Sequence, residues 1–127
     1  MEIFMKKLFL SALIILISNP VLASKEMKYD CPSIEKIKSN GLEYDSIYYD
    51  GTYYTVHKND NYESPYHWTF QVWGISASSK DDAFNKANDA LASLSGTPQA
   101  EYANGFMDCV YNNEYGYVTE AYTKYIG

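Results

Sequence analysis

At 127 residues the chain is long enough for one compact domain with a modest core, and 16 acidic against 10 basic residues leave it at −6. That balance argues against nucleic acid and against anionic membrane surfaces, both of which reward basic patches. All the basic residues are lysines, so the bidentate grip of a guanidinium on phosphate or carboxylate is not available.

The first element is an export signal over residues 1–23. Lys6 and Lys7 supply a basic head, residues 8–17 an apolar core interrupted only by Ser11 and Ala12, and Pro20 a helix break before Val21-Leu22-Ala23. A membrane anchor is the alternative, but crossing about 30 Å of hydrocarbon takes about 20 apolar residues. This run stops at Asn19 and Pro20, and no second apolar stretch of spanning length follows. Ser24, where a lipoprotein would carry cysteine, makes a lipid anchor unsupported. Residues 24–127 are then a single periplasmic or secreted domain with eight lysines, fifteen acids and a net charge of −7. The bias toward Lys, Asn, Ile and Tyr without Arg points by association to a bacterium.

Two cysteines remain after the signal, Cys31 and Cys109. In an oxidising compartment an even count reads as a disulfide, here closing a loop of 78 residues. A redox pair or a metal site is the rival reading. Neither cysteine lies in a C-x-x-C arrangement, and no histidine sits at ligand spacing from either, so the disulfide is preferred.

Residues 31–38 predict a short helix, with Pro32 at its first position, Ile34, Ile37 and Lys38 on one face, and Asn40-Gly41 as its stop. Residues 45–57 predict a β-hairpin around a two-residue Asp50-Gly51 turn. That turn sets Tyr49 opposite Thr52, Tyr48 opposite Tyr53 and Ile47 opposite Tyr54. After a polar loop, residues 67–75 alternate as a third strand. Ser78, Ser79, Asp81 and Asp82 open a second helix, whose apolar face carries Ala83, Phe84, Ala87, Ala90, Leu91 and Leu94. Gly96 and Pro98 end it. Short strands over 99–103, 106–111 and 117–123 follow, with turns at Asn104-Gly105 and 112–116. The fold class is α+β. An antiparallel sheet of five to six strands, in the order α-βββ-α-ββ(β), is covered on one face by an amphipathic helix and stapled by one disulfide. The two halves have the outline of a degenerate topological repeat without residue-level similarity.

Alternation divides the sheet into two faces. Ile47, Tyr49, Tyr54 and Val56 share a side, as do Trp68, Phe70 and Val72, and these apolar sets belong under the helix. The leftover face then carries Tyr44, Tyr48, Tyr53, His57 and Trp73 among small polar residues. Tyr and Trp offer large contact area with a hydrogen-bonding tip at low entropy cost, which makes this face the candidate binding surface. Ordinary cross-strand pairing of aromatics for sheet stability is the competing account.

The chain contains no G-x-S-x-G, no H-E-x-x-H and no glycine-rich phosphate loop. The loop Asn59-Asp60-Asn61-Tyr62-Glu63 lacks the glycine and terminal ligand of a calcium loop. No catalytic residue, metal ligand or cofactor is assigned. The layout of signal, Cys31-Pro32-x-Ile34-x-x-Ile37-Lys38 with Gly41, strand tryptophans and Cys109-Val110-Tyr111 resembles small exported two-cysteine proteins, of unknown function, from bacteria with an intracellular lifestyle. The resemblance implies compartment and fold and assigns no functional residue. Three functions remain. A non-enzymatic protein-binding module, an inhibitor or adaptor of a basic partner, fits the charge and the aromatic face. A carbohydrate-binding protein fits the exposed aromatics, and a small hydrolase would use His57 or His67.

Overall fold

The computed structural model describes residues 30–124, and Cys31–Gly127 forms one unit of the chain. The export signal expected over residues 1–23 lies outside the described residues. Helix α1 (Ile34–Asn40) starts behind Ser33, whose hydroxyl accepts from the Lys36 N–H at 3.2 Å. It stops at Gly41, where φ is +72° and the N–H returns to the Ile37 carbonyl. Pro32 therefore precedes the cap instead of filling the first helical position. It is buried, and its carbonyl accepts from the Tyr111 hydroxyl at 2.5 Å. Ile37 enters the core, whereas Lys38, expected on the same face, is exposed.

Six strands form one antiparallel sheet: β1 (Ile47–Tyr49), β2 (Tyr54–Asp60), β3 (Trp68–Ile75), β4 (Ser95–Ala103), β5 (Phe106–Asn112) and β6 (Val118–Lys124). Helix α2 (Lys80–Ala92) lies between β3 and β4 in the chain. The spatial order is β1-β2-β3-β6-β5-β4. Each half of the chain is thus a helix followed by a three-strand meander, and the meanders join where β3 pairs with β6. The cover is exchanged between them. Helix α2 packs on β2 and β3 of the first half. The segment entering α1 is bonded to β5 of the second through Cys31–Cys109, with Cα atoms 5.8 Å apart.

Local chemistry explains the turns. Asn104 (φ +53°) and Gly105 (φ +83°), between the paired residues Ala103 and Phe106, make a two-residue hairpin turn of the type Asn-Gly favours. The Asp50-Gly51 turn departs from expectation. Tyr49 pairs with Tyr54, Tyr48 with Thr55 and Ile47 with Val56, so the loop spans four residues, 50–53. The Asp50 carboxylate accepts from the N–H groups of Tyr53 (2.7 Å) and Thr52 (2.8 Å), a local cap that takes both residues out of the ladder. The same bonds hold Asp50 below its ordinary carboxylate range. The slip is two residues, so each side chain keeps its face.

A bulge decides the faces of β3. Tyr54 pairs with Ile75 and Thr55 with Trp73, leaving Gly74 unpaired at φ +83°, a backbone conformation glycine adopts without a Cβ clash. Trp73 consequently stays exposed while Ile75, two residues on, is buried. Helix α2 is capped by Ser79, whose hydroxyl accepts from Asp82 N–H, and buries Ala83, Ala87, Ala90 and Leu91. Three alanines at the contact let the helix lie close to the sheet. Gly96 and Pro98, expected to end this helix, belong to β4, which is irregular between Ser95 and Gln99.

The core is filled from one face of the sheet by Val56, Trp68, Phe70, Val72, Met107, Cys109, Tyr111 and Ala121. Two buried hydroxyls are satisfied there, Thr119 by the Tyr111 carbonyl and Thr123 by the His67 carbonyl, both at 2.7 Å. Closing a 78-residue separation is worth about 4–5 kcal/mol in the chain-entropy model. Urea unfolding of the protein with and without reductant should show a loss of that order. A loss under about 1 kcal/mol would mean that the staple contributes little.

Candidate functional site

The strand registers lay out the uncovered face row by row. His57 pairs with Gln71, Gln71 with Glu120, and Glu120 with Val110. In the next row Thr69 pairs with Tyr122, Tyr122 with Asp108, and Asp108 with Glu101. On the other side of the first row Tyr48 pairs with Thr55 and Thr55 with Trp73. Paired residues share a face, so three carboxyls from β4, β5 and β6 stand together beside a row of aromatics.

Glu120 is the fixed point. Its Oε2 accepts from Gln71 Nε2 at 2.6 Å and from Trp73 Nε1 at 2.8 Å. Asp108 stands diagonally across from it on β5, and the two carboxyls interact. The Asp108 Oδ1 is buried with no partner among the described residues. Two carboxyl oxygens in contact make a hydrogen bond only when one carries a proton, so the pair is unsatisfied while both are ionised. Burial first, then Glu120 and Glu101, push Asp108 up to about 7. Gln71, Phe106, Asp108, Glu120 and Tyr122 line a shallow hollow of about 360 Å³. The Phe106 and Tyr122 rings meet edge to face, with centroids 6.2 Å apart, at its rim.

Of the five residues expected on this face, Tyr48, His57 and Trp73 are there by register. Tyr53 lies in the 50–53 loop, exposed, outside the ladder. Tyr44 is elsewhere. Its hydroxyl donates to Asp81 Oδ1, its ring meets Phe84 edge to face at 5.3 Å, and Lys80 Nζ lies 4.5 Å from the ring centroid. It packs against the first turns of α2, because the chain before β1 is not strand and does not continue the alternation. The Asp81 bond raises the Tyr44 phenol above its ordinary value.

The two histidines lie apart. His57 pairs with Gln71 in the middle of β2 and β3, whereas His67 precedes β3 and lines a polar hollow with Asn59, Asp60, Asn61 and Thr69. Among the described residues no carboxylate bonds to either imidazole, and no three His, Cys, Asp or Glu side chains converge to hold a metal. Asp108, Glu120, Phe106 and Tyr122 belong to no motif in the sequence. Parity contained the signal: once Cys109 is buried, Phe106, Asp108 and Val110 must point the other way.

Fold and face together define an α+β single-sheet domain whose helical cover lies on one side and whose other side presents carboxyls among aromatics. The model of a family described as a domain of unknown function, DUF4949, matches residues 30–121, and the chain belongs to that family. No curated protein and no solved structure matches the chain.

The raised Asp108 has a consequence for stability whose sign follows from proton counting. Between the unfolded value near 3.8 and the folded value of about 7, the folded state binds more protons than the unfolded one. Stability from this group is therefore lost as pH rises through that window and is level above it. Asp108→Asn should remove the decline. After allowance for solvent screening, the variant should gain on the order of 1 kcal/mol over the parent at a pH of about 8 and almost nothing at about 4. Urea midpoints at the two pH values measure this; equal differences at both would contradict it.

Proposed function

We propose that the chain is an exported, non-enzymatic protein-binding module that takes a basic segment of its partner onto the open face of the sheet. One observation carries the reading: Glu101, Asp108 and Glu120 stand on one uncovered face with Trp73, Tyr122, Phe106 and Tyr48 around them. Carboxyls attract the cationic head of a lysine or arginine, and aromatic rings receive its methylene stem and the face of its charge. The overall charge of −6 adds long-range attraction for a basic partner. The role of an inhibitor or adaptor of such a partner fits this chemistry. Export is supported by the Cys31–Cys109 disulfide, which persists in oxidising compartments. Among the described residues no helix is long and apolar enough to cross a membrane.

The hydrolase reading gains nothing from the placement of His57 and His67, which share no site. A glycan ligand would use the same aromatics, but the Trp73 indole N–H is already committed to Glu120.

Poly-L-lysine is a probe of the stated chemistry. Titrated into the isotope-labelled, oxidised protein, it should shift the Trp73 indole and the amides of Gln71, Glu120 and Tyr122 in a salt-sensitive way. Replacing Tyr48, Tyr53 and Trp73 together with Ser, and separately Glu101 with Gln, should each weaken binding, the single charge by roughly threefold to fivefold. Shifts confined to the acidic start of α2, at Asp81 and Asp82, would refute the proposed face.

A further inference from the structure

We infer that Asp108 and Glu120 share one proton and so act as a gate, built into the open face, that adds a negative charge when the proton leaves and strengthens the docking of a basic segment. The gating of docking rests on the binding reading above; the shared proton does not. The geometry supplies the asymmetry such a pair needs. Glu120 Oε2 already accepts two hydrogen bonds, from Gln71 and Trp73, which leaves that oxygen no room for a proton. Asp108 has a buried oxygen without a partner, so it is the member that gains a bond by holding the proton.

The surroundings favour this exchange from each neighbouring element. From β4, Glu101 stands directly opposite Asp108 and repels its charge. From β6 come Glu120, Tyr122 and, two positions beyond Tyr122, the exposed Lys124 paired with Phe106. From β3 come the neutral Thr69, Gln71 and Trp73, and from β2 His57, beyond Gln71 in the row of Glu120. Lys124 is the sole fixed positive charge in these rows, and it lies at the open end of β6 where solvent screens it. Burial and like charge thus act in the same direction on Asp108, which is placed to respond near neutrality. A bound cation favours the doubly ionised pair, so by linkage its binding expels the proton and its affinity rises with pH.

Two measurements test the gate. The carboxyl carbon shift of Asp108, followed through pH in the free oxidised protein, should reveal a step near neutrality that Glu120→Gln moves down toward ordinary carboxylates. If Asp108 titrates with the ordinary carboxylates in the parent, the inference falls, whatever poly-L-lysine does. Poly-L-lysine affinity should rise on the order of tenfold from a pH of about 5.5 to about 8 in the parent, and Asp108→Asn should flatten that rise. A rise of equal size in Asp108→Asn would overturn the gate. A near-neutral step at Asp108 with no lysine-induced shift on the open face would instead overturn the docking reading alone and leave the shared proton standing.

Discussion

The Cys31–Cys109 bond joins the segment before α1 to the inner face of β5, and much of the molecule depends on that join. Helix α2 covers β2 and β3, on the far side of the β3–β6 junction from β5. Cys109 and Tyr111 need cover from elsewhere, and the N-terminal segment meets both, through the disulfide and the Pro32 carbonyl. A seven-residue helix has little stability by itself. The covalent tie and the Tyr111 bond to the Pro32 carbonyl fix its position where intrinsic propensity would not.

With both helices committed to one side, the opposite face is left open, and its composition follows the row structure of the sheet. A sheet built only for stability would pair unlike charges or β-branched residues across β5 and β6. Here Asp108 lies beside Glu120 and opposite Glu101, an arrangement that costs stability at neutral pH. Gln71 and Trp73 hold one of these carboxyls by direct bonds and leave the other short of a partner. Conflicts of this kind between local chemistry and fold stability concentrate where proteins bind or react. The edges of the sheet are protected differently, β1 by its three-residue length and β4 by Pro98 and its irregular start.

Much of the fold was legible because its signals are short-range. Strand alternation separated Trp68, Phe70 and Val72 from Thr69, Gln71 and Trp73, and Asn104-Gly105 marked its turn through backbone preference alone. The hairpin around Asp50 was harder. The dipeptide suits a two-residue turn, but the Asp50 carboxylate captured two backbone N–H groups and lengthened the loop, a competition that composition does not rank. Tyr44 leaves the expected face for a related reason: the alternation ends with β1, and the backbone before it no longer obeys it.

What the sequence by itself determined is the order of elements, the pairing of the only two cysteines beyond residue 23 and the parity of the regular strand stretches, because each rests on residue identity and spacing along the chain. Tertiary structure decided which strands became neighbours. Glu101, Asp108 and Glu120 come from three strands, and no local pattern says that β6 will be inserted between β3 and β5. The same insertion brings Gln71 and Trp73 onto a residue 49 and 47 positions away in the chain. A proton shared between Asp108 and Glu120 depends on contacts of this length, and contacts of this length exist only once the sheet has closed.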